Sequence, residues 1–372
     1  GIKYRNSAVS ISGNKNTSGA DIDCLAPADE LDFLSSAAYQ AKCAGVIPVM
    51  LCSAVPSNQS VLDVKAFGAV GDGVVDDRPA VQRTFDCAVE LSSLARPMTV
   101  KFPAGSYAIK SSHPTDGQYQ DLGLGSCGKA TPISIEGTRG AGGTFLSELI
   151  TSTPLTTAHA NGRALLSVFG ANRNFKVSDM SFASTQGNTS VKANQGLYLV
   201  GGSSNEIRDF EISNNRLRNF SLHLGLSGVL RGKVFDNSFL MEKGRDSGTG
   251  IINFGLPNVG LWVFHNANGS NDALDIYNNT YDGCANPNFN LTTQSTSHLC
   301  GDGLIFGQPK NSLIHDNQIR RFSFEGINVG NGNDGALGTN QFYNNTIDGA
   351  TSIGDRNHGG HTGIRADLSG AT

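Results

Sequence analysis

Short apolar segments recur along the second half of the chain, and each carries a glycine close to its start. They begin at Gln195 (QGLYLVG), Leu224 (LGLSG), Thr249 (TGIINFG), Asp302 (DGLIFG), Glu325 (EGINVG) and Thr362 (TGIRAD). Their glycines, at 196, 225, 250, 303, 326 and 363, are spaced 29, 25, 53, 23 and 37 residues apart. The alternating stretches between them, such as RGKVFDNSFL and NSLIHDNQIRRF, place an asparagine near a corner. A period in the twenties with insertions at one place per turn is typical of stacked parallel coils.

This pattern predicts an all-β solenoid. A coil of this length is too small to bury its own apolar face, so it stacks its Ile, Leu and Val side chains on those of the next coil. Asparagines at successive bends are then in position to form hydrogen-bonded ladders. In our alignment Leu226, Ile251, Leu304, Ile327 and Ile364 form one interior column.

A different pattern precedes the repeats. VLDVKAF from Val61 alternates like a strand, and GAVGDGVVDD supplies turn residues. Asp77 is a good N-cap for a helix over AVQRTFDCAVELSSL, with Pro79 in its first turn. MTVKFPAGSYAI then predicts two short strands around a Pro-Ala-Gly turn. We interpret Asp72, Asp76 and Asp77 as turn and cap residues, and not as catalytic or metal-binding ones.

The segment from VLDVKAFGAVGDGVVDDRPAVQRTFD to VKFPAGSYAI resembles the N-terminal signature of the pectate-lyase-like β-helix superfamily, which includes phage tailspikes, fungal exo-β-glucanases and mannuronan epimerases. The resemblance implies a right-handed parallel β-helix closed by a capping helix, with the GDGxxDD residues structural. We therefore divide the chain into an N-terminal appendage, residues 1–60, and a β-helix domain, residues 61–372. Because the chain ends just after a predicted strand, we expect that domain to be truncated at its C-terminus.

The residue before each repeat glycine sits at the mouth of a strand, where its side chain can turn outward. That column reads Gln195, Leu224, Thr249, Asp302, Glu325 and Thr362. Its two acids fall on consecutive coils, and neighbouring strands lie about 4.8 Å apart, so the carboxyl groups can approach to about 5–6 Å. Glycoside hydrolysis needs such a pair, one acid protonated and the other ionised. We predict Asp302 and Glu325 to be catalytic, against the alternative that Asp302 is a turn residue.

Polygalacturonases place their acids before the strand in motifs of the type NTDGI, DDCI and GHGI, and CGDGLIF, FEGINVG and GHTGIRA are similar in placement. The chain departs from that pattern, because a single Glu replaces the Asp pair, His361 is shifted by one residue, and only Arg365 could substitute for the RIK motif. The sequence is more similar to the arrangement in tailspike endoglycosidases, whose acids are spread over neighbouring coils.

Four further residues are candidates for substrate binding. His358, His361 and Arg365 lie on the GDRNHGGHTGIRAD segment, which we expect to project over the groove, and Asp246 offers a weaker case on an earlier coil. Trp262 is either a core residue, which we slightly favour, or a platform on which a sugar stacks.

Charge and composition narrow the kinds of partner and the compartment that we expect for the protein. The net charge of −4 and the absence of a basic stripe argue against nucleic acid, and no apolar run is long enough for a transmembrane helix. No cofactor or metal motif is present, since the seven cysteines contain no CxxC pair. Cys284 and Cys300 bracket a loop as a disulfide would, which favours an oxidising compartment and hence a secreted protein or one on a virion surface.

We therefore expect a glycoside hydrolase with a polysaccharide substrate. The alternatives are a polysaccharide lyase or C5-epimerase acting on uronates, with Arg365, His361 or His358 as base, and a non-catalytic glycan-binding adhesin. Kinship with tailspikes would also predict a homotrimer.

Overall fold

The computed structural model describes fourteen stretches of the chain, and the fold is given for these residues: 52–111, 120–125, 132–152, 163–169, 172–185, 194–201, 206–242, 259–264, 271–283, 302–307, 309–322, 325–329, 339–348 and 362–366. They form a right-handed parallel β-helix whose strands, numbered in chain order, fall into three long sheets and one short sheet. All pairs between the described strands are parallel, and successive coils add their strands one after another to the three long sheets. The predicted fold class is confirmed.

Two of the long sheets contain nine strands each. Sheet I consists of β1 (Val61–Asp63), β3 (Met98–Lys101), β6 (Ile133–Glu136), β9 (Lys176–Ser178), β13 (Glu211–Ser213), β17 (Lys233–Phe235), β21 (Asp275–Tyr277), β25 (Leu313–His315) and β28 (Gln341–Tyr343). Sheet II consists of β2 (Asp72–Asp76), β4 (Gly105–Ile109), β7 (Ser147–Thr151), β10 (Ser181–Ser184), β14 (Arg216–Arg218), β18 (Ser238–Leu240), β22 (Thr280–Asp282), β26 (Gln318–Arg320) and β29 (Thr346–Asp348).

The remaining strands form the third long sheet and the short one. Sheet III consists of β5 (Gln120–Gly125), β8 (Arg163–Phe169), β11 (Asn194–Val200), β15 (Leu222–Ser227), β19 (Val259–Val263), β23 (Asp302–Phe306), β27 (Glu325–Val329) and β30 (Thr362–Ala366). Sheet IV, between sheets III and I, consists of β12 (Ile207–Arg208), β16 (Val229–Leu230), β20 (Asn271–Asp272) and β24 (Pro309–Lys310).

A helix closes the N-terminal end of the coils, as predicted. Helix α1 (Arg78–Leu91) packs Val81, Phe85 and Ala88 into the core. Gln82 joins the helix to the first strand of sheet III, because its amide group donates to the Gly123 carbonyl (2.7 Å) and accepts from the Gly123 N–H (2.9 Å). The helix therefore covers the backbone edge that would otherwise be left open.

The carboxylates before the helix serve the backbone, with one correction to the prediction. Asp72 accepts from the N–H groups of Val74 and Val75 in a turn. Asp77 occupies the N-cap position but makes no capping bond. Its carboxylate instead accepts from the Val70 and Gly71 N–H groups, and burial raises its pKa to about 6.

The segment VLDVKAF is only partly the predicted strand. Strand β1 ends at Asp63, whose carboxylate accepts from the Lys65 N–H at 2.8 Å, and a 3-10 helix, Val64–Phe67, follows. Two more 3-10 helices cover Cys52–Ala54 and Ala141–Gly143. The side chain of Asp63 thus converts the alternating pattern into a turn after three residues.

Stacked apolar columns fill the interior, as the repeat predicted. In sheet I one column runs through Val177, Ile212, Val234, Ile276 and Ile314, all fully or almost fully buried. Each such side chain contributes about 1.5–3 kcal/mol by leaving water, so the columns dominate the stability of the coils.

An asparagine ladder stabilises the corner between sheets I and II. It consists of Asn215, Asn237, Asn279, Asn317 and Asn345. From Asn237 onward, the Oδ1 atom of each asparagine accepts from the backbone N–H and the Nδ2 group of the asparagine one coil earlier, at 2.9–3.1 Å. The predicted ladders are confirmed, and this one fixes the vertical register of the coils.

A disulfide joins Cys52 to Cys87 of helix α1, so residues just before the β-helix domain are covalently tied to its cap. Cys284 and Cys300, predicted to be paired, lie outside the described residues. Among the described residues, no helix is long and apolar enough to cross a membrane.

Candidate active site

Each strand of sheet III begins with a bend, and this bend decides which side chains face outward. A Cβ atom on Gly303 would point into the coil and stand 2.7 Å from the Ile319 side chain, and one on Gly260 would stand 2.5 Å from Tyr281. The residue after the glycine also faces inward, since Leu261 and Leu304 belong to the main core. The residue before the glycine is therefore turned outward.

Two described side chains confirm this direction. Leu222 and Val259 hold the position before the bend in β15 and β19, and they are register partners. They do not join the main core but form a separate buried cluster with Ile305, under Trp262 and Phe264. The position before the bend thus defines an outward column on sheet III, which we call the bend column.

The backbone register brings residues 302 and 325 into this bend column on neighbouring strands. Val259 pairs with Asp302 across β19 and β23, and Leu304 pairs with Ile327 two residues later. On the next strand pair Glu325 is level with Thr362. Asp302 and Glu325 are therefore one strand apart at the same level, about 4.8 Å between backbones.

The register corrects our alignment in the earlier coils. Leu224, and not Leu226, shares the interior column with Leu304 and Ile327, and Leu261 stands where we placed Ile251. The bend column accordingly reads Leu222 and Val259 where we placed Leu224 and Thr249. Thr249 and Ile251 lie outside the described residues.

The physical reason for the error is Gly225. This glycine is not the bend residue of its coil but an outward position, level with Tyr198 and Trp262. A Cβ atom there would collide with the Tyr198 ring and stand 3.1 Å from Phe264. The glycine makes room for an aromatic ring, whereas the bend position of the coil is held by His223.

His223 points into the coil between the bend glycines of the two adjacent strands. Its ring nitrogens lie 3.0 and 3.2 Å from the carbonyl oxygens of Val259 and Leu240, and the rings of Phe239 and Tyr281 surround it. Complete burial lowers its pKa to about 4. His223 is a neutral structural residue behind the outer face.

Trp262 lies on the outer face of sheet III and not in the main core, contrary to the preference stated above. Its ring is half-buried and stacks on Phe264, with centroids 4.5 Å apart and planes 13° apart. Phe264 in turn meets the edge of Tyr198 at 5.4 Å. Sequence reasoning missed Phe264 because VGLWVF is not among the predicted repeat segments, and it missed Tyr198, in the predicted segment QGLYLVG, because the rings that surround it come from another coil.

The predicted substrate-binding residues fall at or beyond the edge of the described structure. In the backbone register, Arg365 is the partner of Asn328 on the neighbouring strand. His358, His361 and Asp246 lie outside the described residues.

Charged side chains on the neighbouring sheet II are already paired. Arg218 binds Glu148 and also Glu242, the latter at 2.9 Å, and Asp282 accepts from Arg320 at 3.0 Å. Within the described part of the chain, no group of three or more His, Cys, Asp or Glu side chains is arranged to hold a metal ion. Sheet III carries the backbone positions of Asp302 and Glu325 on neighbouring strands and three half-buried aromatic rings on its outer face.

Comparison with known proteins agrees with this architecture. Residues 61–228 match the family model described as rhamnogalacturonase A/epimerase, pectate lyase-like. No curated protein sequence is significantly similar to the chain.

Solved structures with a similar fold are distant in sequence. ORF18 of Geobacillus virus E2 is 13% identical (TM-score 0.41), and the alignment covers 82% of this chain and 60% of that one. The A-module of the mannuronan C-5 epimerase AlgE6 from Azotobacter vinelandii is 18% identical (TM-score 0.40; 78% of each chain). The Dettilon tailspike protein is 12% identical (TM-score 0.41), with 84% of this chain and 60% of that one covered. The described coils form a right-handed parallel β-helix. The match of residues 61–228 to a pectate lyase-like family model agrees with the resemblance predicted from the N-terminal segment.

Proposed function

We propose that the protein is a polysaccharide-degrading enzyme, a glycoside hydrolase that uses Asp302 and Glu325 as its catalytic pair. The observation that supports the proposal is their backbone register: Asp302 and Glu325 hold the same position, directly before the bend glycine, on neighbouring strands. The same column holds apolar residues at Leu222 and Val259. Acids at this level are not explained by the packing that places leucine and valine there.

The chemistry follows from the spacing of the strands. Carboxyl groups one strand apart can approach to about 5–6 Å, close to the separation of paired acids in glycoside hydrolases, about 5–9.5 Å. Two carboxyl groups this close do not ionise independently, so one keeps its proton at a higher pH than the other. The protonated acid can then protonate the leaving oxygen, while the ionised one acts as base or nucleophile.

The setting of the site supports a polysaccharide substrate. The family model matched by residues 61–228 includes rhamnogalacturonase, an enzyme named for such a substrate. The Cys52–Cys87 disulfide suits an oxidising compartment, in agreement with a secreted protein or one on a virion surface. A homotrimer stays part of the proposal, and light scattering tests it independently of activity.

Substitution of the two acids tests the proposal directly. Asp302→Asn and Glu325→Gln should each lower the release of reducing ends from a cleaved polysaccharide at least about a hundredfold, the usual contribution of a general acid or base. The matched controls are Asp236→Asn, an exposed acid just after β17, and Glu211→Gln, a half-buried acid of β13, and both should leave activity unchanged. Melting temperatures close to the wild-type value must accompany the loss. Full activity in either Asp302→Asn or Glu325→Gln refutes the assignment.

The products separate the alternatives. Elimination by a lyase creates an unsaturated uronate that absorbs in the ultraviolet, and a C5-epimerase changes the uronate composition without cutting the chain. Binding of a glycan with no new reducing ends would indicate an adhesin. For a lyase or epimerase, Arg365, His361 and His358 are the candidate bases, and their substitution should then be more damaging than that of Asp302.

A further inference from the structure

An aromatic cluster occupies the outer face of sheet III beside the two acids. Tyr198 and Trp262 are level with each other on β11 and β19, with Gly225 between them on β15. Phe264 links the two rings, stacked on Trp262 and edge-on to Tyr198. All three rings are half-buried, so part of each remains in contact with water. We call Tyr198, Trp262 and Phe264 the aromatic platform.

Buried apolar residues support the aromatic platform from below, and a glycine leaves space for one of its rings. Leu222, Val259 and Ile305 are buried beneath Trp262 and Phe264, which holds these rings in place. At Gly225 any larger residue would displace Tyr198, because a Cβ atom there collides with its ring. The cluster is therefore pre-organised, and a ligand that contacts it has little ordering entropy to overcome.

On the described residues of the three strands β11, β15 and β19, the outward neighbours of the platform are uncharged. Outward positions on β11, β15 and β19 are Gln195, Tyr198, Val200, Leu222, Gly225, Ser227, Val259 and Trp262, followed by Phe264. The polar groups among them are neutral, and the Tyr198 hydroxyl is hydrogen-bonded to Ser227 while burial raises its pKa. Rings with neutral hydrogen-bonding groups beside them fit a ligand that has both an apolar face and hydroxyl groups.

We propose that the aromatic platform is a sugar-stacking subsite that binds a neutral hexopyranose unit of the polysaccharide, away from the point of cleavage. The inference rests on the proposed function, because it treats sheet III as the substrate face. Asp302 is level with Val259, three residues before Trp262 and one strand further on. This offset is about 11 Å between backbones, from about 3.3 Å per residue and 4.8 Å per strand. The platform therefore contacts a different sugar unit from the one that is cut.

A second set of aromatic residues shows why this cluster is singled out. On sheet I, Phe235, Tyr277, His315 and Tyr343 form one continuous stack, with centroids 4.6–5.1 Å apart and nearly parallel planes. Their faces are covered by one another, and acidic residues flank them, as with His315 between Asp275 and Asp316. That stack provides a matched control on another face of the same coils.

Trp262 is the only tryptophan of the chain, so it reports directly on the platform. Rhamnogalacturonan oligosaccharides, which contain the neutral sugar rhamnose, are titrated into the Glu325→Gln protein with tryptophan fluorescence as the readout, and the all-uronate polygalacturonate and alginate oligosaccharides serve as comparisons. We expect a saturable change in Trp262 emission with the rhamnogalacturonan oligosaccharides and a weaker one or none with the all-uronate oligosaccharides, and the reverse order contradicts a neutral subsite. Tyr198→Ala retains the reporter and should weaken that binding about tenfold, the effect of losing one aromatic contact. Tyr277→Ala should leave the affinity unchanged.

The outcomes separate this proposal from the proposed function. Cleavage of an oligosaccharide by the wild-type protein with no change in Trp262 emission on binding overturns the subsite while the hydrolase proposal stands. Unchanged affinity of a folded Tyr198→Ala protein, judged by its melting temperature, also overturns it, as does a panel in which no oligosaccharide perturbs the fluorescence. A fluorescence change in the absence of any cleavage keeps the subsite and removes the hydrolase.

Discussion

The asparagine ladder offers a quantitative test of what holds the coils in register. Asn279 is the middle rung and is almost completely buried, with 2% of its surface exposed. Its Oδ1 atom accepts from the N–H and the Nδ2 group of Asn237, and its own Nδ2 donates to the carbonyl groups of Val234 and Tyr277 and to Asn317. Replacing Asn279 with alanine removes all five bonds at once.

The expected loss follows from the partners left behind. Two amide hydrogens and one oxygen of Asn279 support about three independent bonds, worth about 1 kcal/mol each in net stability. The Asn237 N–H and the Val234 carbonyl group are then buried without these partners, which adds about 1–2 kcal/mol. We expect Asn279→Ala to lower the free energy of unfolding by about 4–5 kcal/mol.

Asn345, at the last rung, is the matched control. It is half-buried, and its side chain accepts from the N–H and Nδ2 groups of Asn317 and donates to the Ile314 carbonyl group. Because water can replace some of these bonds, Asn345→Ala should cost about 1–2 kcal/mol. Urea denaturation followed by circular dichroism measures both losses. Equal losses at the two positions, or an Asn279→Ala protein as stable as the wild type, would show that the ladder does not determine stability.

Two further predictions concern pH and the disulfide. His223 has a pKa of about 4 in the folded state and 6.5 when unfolded, so the unfolded state takes up its proton first as pH falls. About 3 kcal/mol of stability should therefore be lost between pH 6.5 and 4, and the urea midpoint of His223→Gln should fall less over this range than that of the wild type. Asp77, whose raised pKa acts in the opposite direction, is present in both proteins and cancels from the comparison. Reduction of the Cys52–Cys87 disulfide, whose cysteines are 35 residues apart, should lower the free energy of unfolding by about 3–4 kcal/mol in the loop-entropy model. The Cys52→Ser variant should show the same decrease in the absence of reductant. An unchanged free energy of unfolding in either measurement would contradict the prediction.

Those elements of the fold that depend on local chemistry were predictable from sequence. Helix α1 begins within one residue of the predicted cap, and the ladder occupies the predicted corners, because each depends on residues that are neighbours in sequence or recur at one place per coil. The interior column was predictable at Leu304 and Ile327, whereas Ile364, predicted to be interior and in register with Ile327, is 55% exposed. Tertiary packing decided the exceptions, such as the carboxylate of Asp77, which binds Val70 and Gly71 instead of capping its own helix.

The alignment error in the earlier coils has a different origin, because Gly225 was aligned as a bend residue although it makes room for a neighbouring ring. A glycine in a strand marks either a bend or a close approach by a neighbouring group. Gly225 is of the second kind, and the approaching group, Tyr198, is 27 residues earlier in the sequence and one strand away in space. The bend of that coil is made by His223, and no local pattern identifies a histidine as a bend residue.

The predicted alignment of Asp302 with Glu325 was unaffected by this error, because each of these two strands has a glycine at its bend. Gly303 and Gly326 stand at the same level of adjacent strands, and Leu304 and Ile327 after them are stacked in the interior. A slip of one residue on either strand would move Leu304 or Ile327 out of the core, at a cost of about 1.5–3 kcal/mol for each. The level of Asp302 with Glu325 is thus determined by the same packing that builds the solenoid. Asp302→Asn and Glu325→Gln leave the apolar column of Leu304 and Ile327 intact, so they separate a loss of catalysis from a loss of fold.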